Sequence, residues 1–231
     1  MKRKLTLVTS GIMTVYTSFT LVDTFMLQHS GTAIATSTQT VKTTAKKDLS
    51  TVKKTATSYE DSHMNINVTT ERVDGTTVYV ADITVDDPSL LQTALANNTY
   101  GRNYTEKTSS MASEHNAIFA INGDYYGFRD TGYVVRNGTL YRDTVATDTD
   151  ALVIDSDGNM KSVNQSDETA SELLKNGAHQ VLSFGPTLVE NGKVTVSEDA
   201  EVGQSQASNP RTAIGQVGKN HYVVVVSDGR T

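Results

Sequence analysis

Apolar and polar positions divide the chain into three unequal parts. Met1-Lys2-Arg3-Lys4 is a basic block, and the Leu5–Leu27 stretch after it is rich in large apolar residues with one charge, Asp23. From Gly31 to Ser58 the chain is mostly Thr, Ser, Ala and Lys. From Tyr59 onward the pattern becomes that of strands. Asn65–Thr69 and Thr77–Val85 alternate apolar with polar residues on either side of Asp74-Gly75, which predicts a hairpin. Pro88–Ala96 reads as a short helix capped by Asp86 or Asp87, and Ser109–His115 as another. Ala117-Ile118-Phe119-Ala120-Ile121 is an unbroken apolar run closed by Asn122-Gly123, as expected of a central strand buried on both faces.

Farther on, Gly132–Tyr141 predicts a second hairpin, and Ala151–Asp155 a strand. Glu168–Asn176 predicts a helix with Ala170, Leu173 and Leu174 on one face and Gly177 at its C-terminal cap. Gln180–Val189 reads as strand, turn, strand. Tyr222–Val226 is a second buried strand that ends at Asp228-Gly229-Arg230. Together these elements predict an α+β domain: a mixed β-sheet with several hairpins and a few short helices.

The first two parts have a different character. A basic start followed by an apolar run is an export signal or a signal anchor, and the run is about the ~20 residues needed to cross a bilayer. Residues 1–30 are therefore expected to form a membrane or export helix, anchor or cleaved peptide. Positive-inside orientation would place the rest of the chain outside the cell. Residues 31–58 are too polar to offset their chain entropy and are expected to act as a flexible linker. The domain proper is expected over 59–231.

Composition narrows the chemistry. A net charge of −6 argues against nucleic acid as the main partner. With no cysteine among 231 residues, disulfides and thiolate metal sites are excluded. No cofactor is expected. The acidic residues leave room for a divalent cation such as calcium, although no EF-hand-type loop is present.

Three segments place ionisable or amide groups at a strand end beside a turn: Asn122-Gly123-Asp124, Asn209-Pro210-Arg211 and Asp228-Gly229-Arg230. If they converge, the site holds paired carboxylates, paired guanidiniums and an amide. Arginine suits bidentate binding of phosphate, and paired carboxylates suit acid/base or nucleophilic work at an anomeric carbon. The combination points to a phosphorylated sugar as ligand. His115 is expected at a helix end and not as a base.

These segments, together with Ala120–Tyr126, Phe184-Gly185-Pro186-Thr187-Leu188-Val189 and Asn209–Gly215, resemble in order the signatures of the phosphodiester glycosidase family. That family includes uncovering-enzyme-like N-acetylglucosamine-1-phosphodiester α-N-acetylglucosaminidase domains and bacterial proteins of the exopolysaccharide-biosynthesis type. The resemblance covers roughly Tyr59 to Thr231 and implies an α+β domain that hydrolyses the bond between a sugar and a phosphodiester in a surface glycan. It implies Asn122, Asp124, Arg211, Asp228 and Arg230 as site residues. Arg211 and Arg230 would hold the phosphate, Asn122 a sugar hydroxyl, and Asp124 and Asp228 would be acid/base or positioning groups. Family members continue into a further strand with a Leu-Asp-Gly-Gly-Gly-Ser type motif, which is not found here. A C-terminally incomplete domain is therefore expected, with the Tyr222 strand left as an unpaired edge. The alternatives are a non-catalytic glycan- or phosphate-binding surface module, an inactive fragment, or a wall-tethered structural protein.

Overall fold

The structure is a computed structural model and describes residues 23–28, 52–200 and 209–229. The strands, in chain order, begin with β1 (Asp23–Gln28), β2 (Lys53–Lys54), β3 (Ser58–Glu60), β4 (Met64–Val73) and β5 (Thr76–Val85). β6 (Leu91–Leu95), helix α1 (Thr108–Glu114), β7 (Ala117–Asn122), β8 (Val134–Arg136), β9 (Thr139–Arg142) and β10 (Asp150–Asp155) follow. The rest are β11 (Met160–Asn164), α2 (Ala170–Lys175), β12 (Ala178–Leu182), β13 (Val189–Glu190), β14 (Lys193–Val194), β15 (Arg211–Gly218) and β16 (His221–Ser227). The fold is mostly β with a few short helices. Every strand pairing among the described residues is antiparallel, not mixed in direction, because tight turns join many neighbours.

Three main sheets carry the architecture. The largest runs β15-β16-β5-β4-β3-β2, the next β11-β10-β12-β8-β9, and the smallest β6-β1-β7. β4 and β5 form the expected hairpin. Asp74 (φ 48°) and Gly75 (φ 83°) turn the chain with both residues at positive φ, the geometry that matches strand twist. Alternate residues Met64, Ile66, Val68, Ala81, Ile83 and Val85 are buried, and Tyr222, Val224 and Val226 of β16 join them. This period of two gives the large sheet one core face. A second core lies where α2 packs on the five-stranded sheet through Ala170 and Leu173. Thr169 and Glu172 form the reciprocal capping box that starts α2, and Gly177 (φ 97°) follows its end.

Four sequence expectations need correction. Pro88–Ala96 is not a helix. A single 3-10 turn, Pro88–Leu90, is capped by Asp87 and gives way to β6, whose backbone pairs with β1. Tertiary pairing here overrides a helix-like start signal. β7 is not a central strand. Among the described residues it pairs only with β1, and of its six residues only Ile121 is fully buried. β16 is not an edge. It lies between β15 and β5, so the unpaired-edge argument does not apply to it. Finally, the large sheet reaches back to Lys53, inside the stretch read as linker, where β2 pairs with β3 and Lys53 Nζ lies 3.0 Å from Glu60.

The tail of the N-terminal apolar run, Asp23–Gln28, is strand β1 and not the continuation of a helix. Its Thr and Phe favour extended backbone. The rest of that run and residues 29–51 lie outside the described residues. No helix among the described residues is long and apolar enough to cross a membrane.

Candidate functional site

The turn after β7 is where the three sheets are tied together. Asn122 is the last residue of β7, and its Oδ1 accepts a 2.5 Å hydrogen bond from the Thr212 hydroxyl on β15 of the large sheet. Its amide Nδ2 donates to the Gly123 carbonyl at 3.3 Å, so the side chain is fixed at both ends. Two residues on, Asp124 turns toward the five-stranded sheet. It accepts 2.7 Å from Arg136 Nη2 at the end of β8 and 2.9 Å from the Ser183 N–H just past β12. A longer contact, 3.4 Å, comes from the Tyr126 N–H.

The other two segments meet at the same end of the large sheet. β15 and β16 pair with Arg211 opposite Ser227, which brings the start of one strand beside the end of the other. Asp228 continues past β16, and its Oδ1 accepts 3.1 Å from the Thr77 N–H. Gly229 then passes so close to Asn209 and Pro210 that a Cβ on it would lie 2.0 Å from the Asn209 carbonyl. Its φ of 61° is also one that only glycine adopts freely. Asn122, Arg211 and Asp228 are thus drawn to one end of the sheet by Thr212, the β15–β16 register and the Gly229 contact. Arg211 is exposed, with Nη1 3.1 Å from the Pro210 carbonyl. Arg230 lies outside the described residues.

Asp124 has a different character from Asp228. It is 2% exposed and faces Arg136, itself 3% exposed. A buried carboxylate in this setting is held as an anchor by its guanidinium and backbone partners. Asp228 is only half-buried.

Sequence reading missed the arginines that surround Asp124. Arg136 also donates to the carbonyls of Val135 and Val181, at 3.1 and 2.5 Å. Arg142 fastens the loop that follows Asp124. Its Nη1 reaches the carbonyls of Tyr126 and Arg129, and its Nε that of Gly132. The Arg129 guanidinium carbon lies over the Tyr125 ring, 3.8 Å from its centre, and Nη1 reaches the Ser183 carbonyl at 3.4 Å. Burial holds the Arg129 guanidinium below its ordinary pKa. Asp124 pulls it back up, and nearby Arg142 lowers it further. A usable signal for Arg136 was its place in the run Val134-Val135-Arg136. An arginine in a buried strand requires a buried carboxylate.

Among the described residues, no cluster of three or more His, Cys, Asp or Glu is placed to hold a metal. His115 caps the end of α1 and its Nε2 lies 2.9 Å from Asn98 Oδ1. An open cavity of about 470 Å³ borders Arg129, Thr131 and the loop 145–149, and a smaller one of about 230 Å³ borders Asp150 and Thr187. Neither is lined by Asn122, Arg211 or Asp228.

The chain is 31% identical over 139 residues to the SPbeta prophage-derived uncharacterized protein YomE of Bacillus subtilis (strain 168), an alignment covering 57% of this chain and 21% of that protein. The chain thus spans about a fifth of that relative's length. Residues 115–231, which carry the turn after β7 and both β15 and β16, match the family model of the phosphodiester glycosidases, and the chain belongs to that family.

Proposed function

We propose that the chain hydrolyses the bond between the anomeric carbon of a sugar and a phosphodiester in a surface glycan or exopolysaccharide, on the outer side of the cell membrane. The observation that carries this reading is the convergence of Asn122, Arg211 and Asp228 at one sheet end, in a chain of the phosphodiester glycosidase family. Water adds its oxygen to the anomeric carbon as the bond from that carbon to the phosphate oxygen breaks. The sugar leaves as the free hemiacetal and the phosphate as the monoester. Arg211, with Arg230, neutralises the phosphate through the guanidinium fork. Asn122, held by Thr212, orients a sugar hydroxyl. Asp228 is the acid/base group, since it is only half-buried whereas Asp124 is 2% exposed and out of reach of a substrate. Asp124 positions the turn.

The test is sugar release from a sugar-1-phosphodiester by wild type and by Asp228→Asn. The amide of the variant still accepts from Thr77, so the fold is retained. Loss of proton transfer is expected to lower kcat by roughly 100-fold or more. A wild type that binds the substrate and never releases sugar would instead establish a non-catalytic binding module.

A further inference from the structure

The cavity beside Arg129 has a composition that the hydrolytic site does not explain. It is lined by one guanidinium, the hydroxyl-bearing Thr131, Thr147 and Thr149, and a single carboxylate, Asp148. No carboxylate lies within ion-pair distance of Arg129 among the described residues. The side chain is half-buried, with its guanidinium carbon 3.8 Å from the centre of the Tyr125 ring and Nη1 3.4 Å from the Ser183 carbonyl. A desolvated arginine without an ion partner attracts an oxyanion more strongly than an exposed one, and its fork matches tetrahedral oxygens. Burial also holds its pKa below the ordinary value, and the charge of Asp124, which is already bound to Arg136, offsets this only in part. The position is informative as well. Ser183 bonds Asp124 through its N–H and Arg129 through its carbonyl, so the cavity flanks the turn that carries Asn122.

We propose that this cavity is a second oxyanion subsite, which takes the phosphoryl group of the glycan repeat next to the one whose bond is cut. The inference rests on the hydrolytic reading for its source of phosphate, but not for the binding itself. It assigns the substrate to polymers that carry phosphate at more than one repeat. Arg129 supplies the charge, and Thr131 and Thr147 supply hydroxyl donors, since the Thr149 hydroxyl donates to the Thr147 carbonyl. Asp148 opposes the anion and so limits affinity, which makes the sign of its removal diagnostic.

The experiment is calorimetric titration of the full chain with inorganic phosphate and with acetate at low ionic strength, in wild type, Arg129→Gln, Asp148→Asn and Arg211→Ala. Phosphate is expected to bind Arg211→Ala still, through Arg129. Arg129→Gln should weaken that binding at least ~10-fold, and Asp148→Asn should tighten it about threefold, as expected for one screened charge several Å away. Acetate should bind less well than phosphate. Asp148→Asn keeps the test decisive should Arg129→Gln fold poorly. Phosphate binding that ignores both Arg129 and Asp148, or that disappears only with Arg211, overturns the proposal. So does the absence of phosphate binding. A substrate with two phosphodiesters should show a lower KM than one with a single phosphodiester, and Arg129→Gln should erase the difference. Equal KM values would instead assign the bound phosphate to the released product and overturn the neighbouring-repeat source. A chain that binds phosphate at Arg129 but releases no sugar refutes the hydrolytic reading alone. Sugar release without Arg129-dependent phosphate binding refutes the subsite alone.

Discussion

The hydroxyl of Thr212 donates to Asn122 Oδ1 at 2.5 Å, joining residues 90 positions apart in the chain. This bond decides which way the Asn122 amide faces, because its Nδ2 is committed to the Gly123 carbonyl. Thr212→Val keeps the shape and removes the donor. Leaving the half-buried amide oxygen without that bond costs about 1 kcal/mol of stability. If Asn122 orients a sugar hydroxyl, KM should rise several-fold while kcat changes little, and Thr212→Ser should restore wild-type values. Steady-state kinetics on the three proteins, with thermal melts alongside, would check this. A Thr212→Val protein with unchanged KM would remove Asn122 from the binding site.

Asp124 and Arg136 form a pair in which both side chains are almost wholly buried, 2.7 Å apart. Asp124→Asn removes a charged partner of the buried Arg136 guanidinium and should destabilise the domain by about 3–5 kcal/mol in chemical denaturation. Arg136→Met should cost a similar amount. A double-mutant cycle should show coupling above ~1 kcal/mol, since each single change already forfeits the same contact. Additive losses would mean that Asp124 is held mainly by the Ser183 and Tyr126 N–H groups.

The residues alone mark where the turns of the candidate site fall, but not which of them meet. The turn signals at Asn122-Gly123 and Asp228-Gly229 mark where strands end, so the sequence places chemistry at those points. Their meeting depends on the β15–β16 register and on the Thr212 hydroxyl, which are properties of pairing and not of spacing. The two acids look equivalent in sequence and differ in the fold, because Asp124 is buried against Arg136 while Asp228 is half-buried. Alternation revealed the β4–β5 hairpin because one face of it is buried. The same logic failed at Leu91–Leu95, where a proline and an Asp cap announced a helix that amounts to one turn. The Asp23–Gln28 strand was hidden within an apolar run whose composition fits a membrane helix equally well.

Gly229 is the one glycine whose replacement should affect the site directly. At φ 61° any L side chain is strained, by roughly 1–2 kcal/mol. In addition, the new Cβ would lie 2.0 Å from both the carbon and the oxygen of the Asn209 carbonyl, so the backbones must separate. Gly229→Ala is therefore expected to move Asp228 away from Arg211 and lower sugar release at least ~10-fold. The core packing of β4 and β5 does not involve Gly229, so hydrogen-exchange protection should be lost at Thr77, whose N–H is held by Asp228, and retained over residues 81–85. Normal turnover in this variant would show that the approach of the two turns is incidental to catalysis.

A pH effect is expected far from the site. His63 Nδ1 lies 2.8 Å from Asp86 Oδ2, and this hydrogen bond is the main reason its pKa is raised above the ordinary 6.5. Slight burial works against the shift, while the charges of Asp86, Asp61 and Asp87 add to it. The same region is tied through the backbone, because the Asp86 N–H donates to the His63 carbonyl at 2.9 Å. A folded-state pKa above the unfolded one means that protonated His63 stabilises the fold. That contribution is fully present below 6.5 and is lost as the pH rises through the folded value. An NMR titration of His63 should therefore give a midpoint above 6.5, and Asp86→Asn should bring it down. Between about pH 5.5 and about pH 8.5 the wild-type Tm should fall by more than that of Asp86→Asn, with the difference assigned to this pair. If the two proteins lose Tm equally, the His63–Asp86 contact carries no stability of its own, as is common for exposed ion pairs.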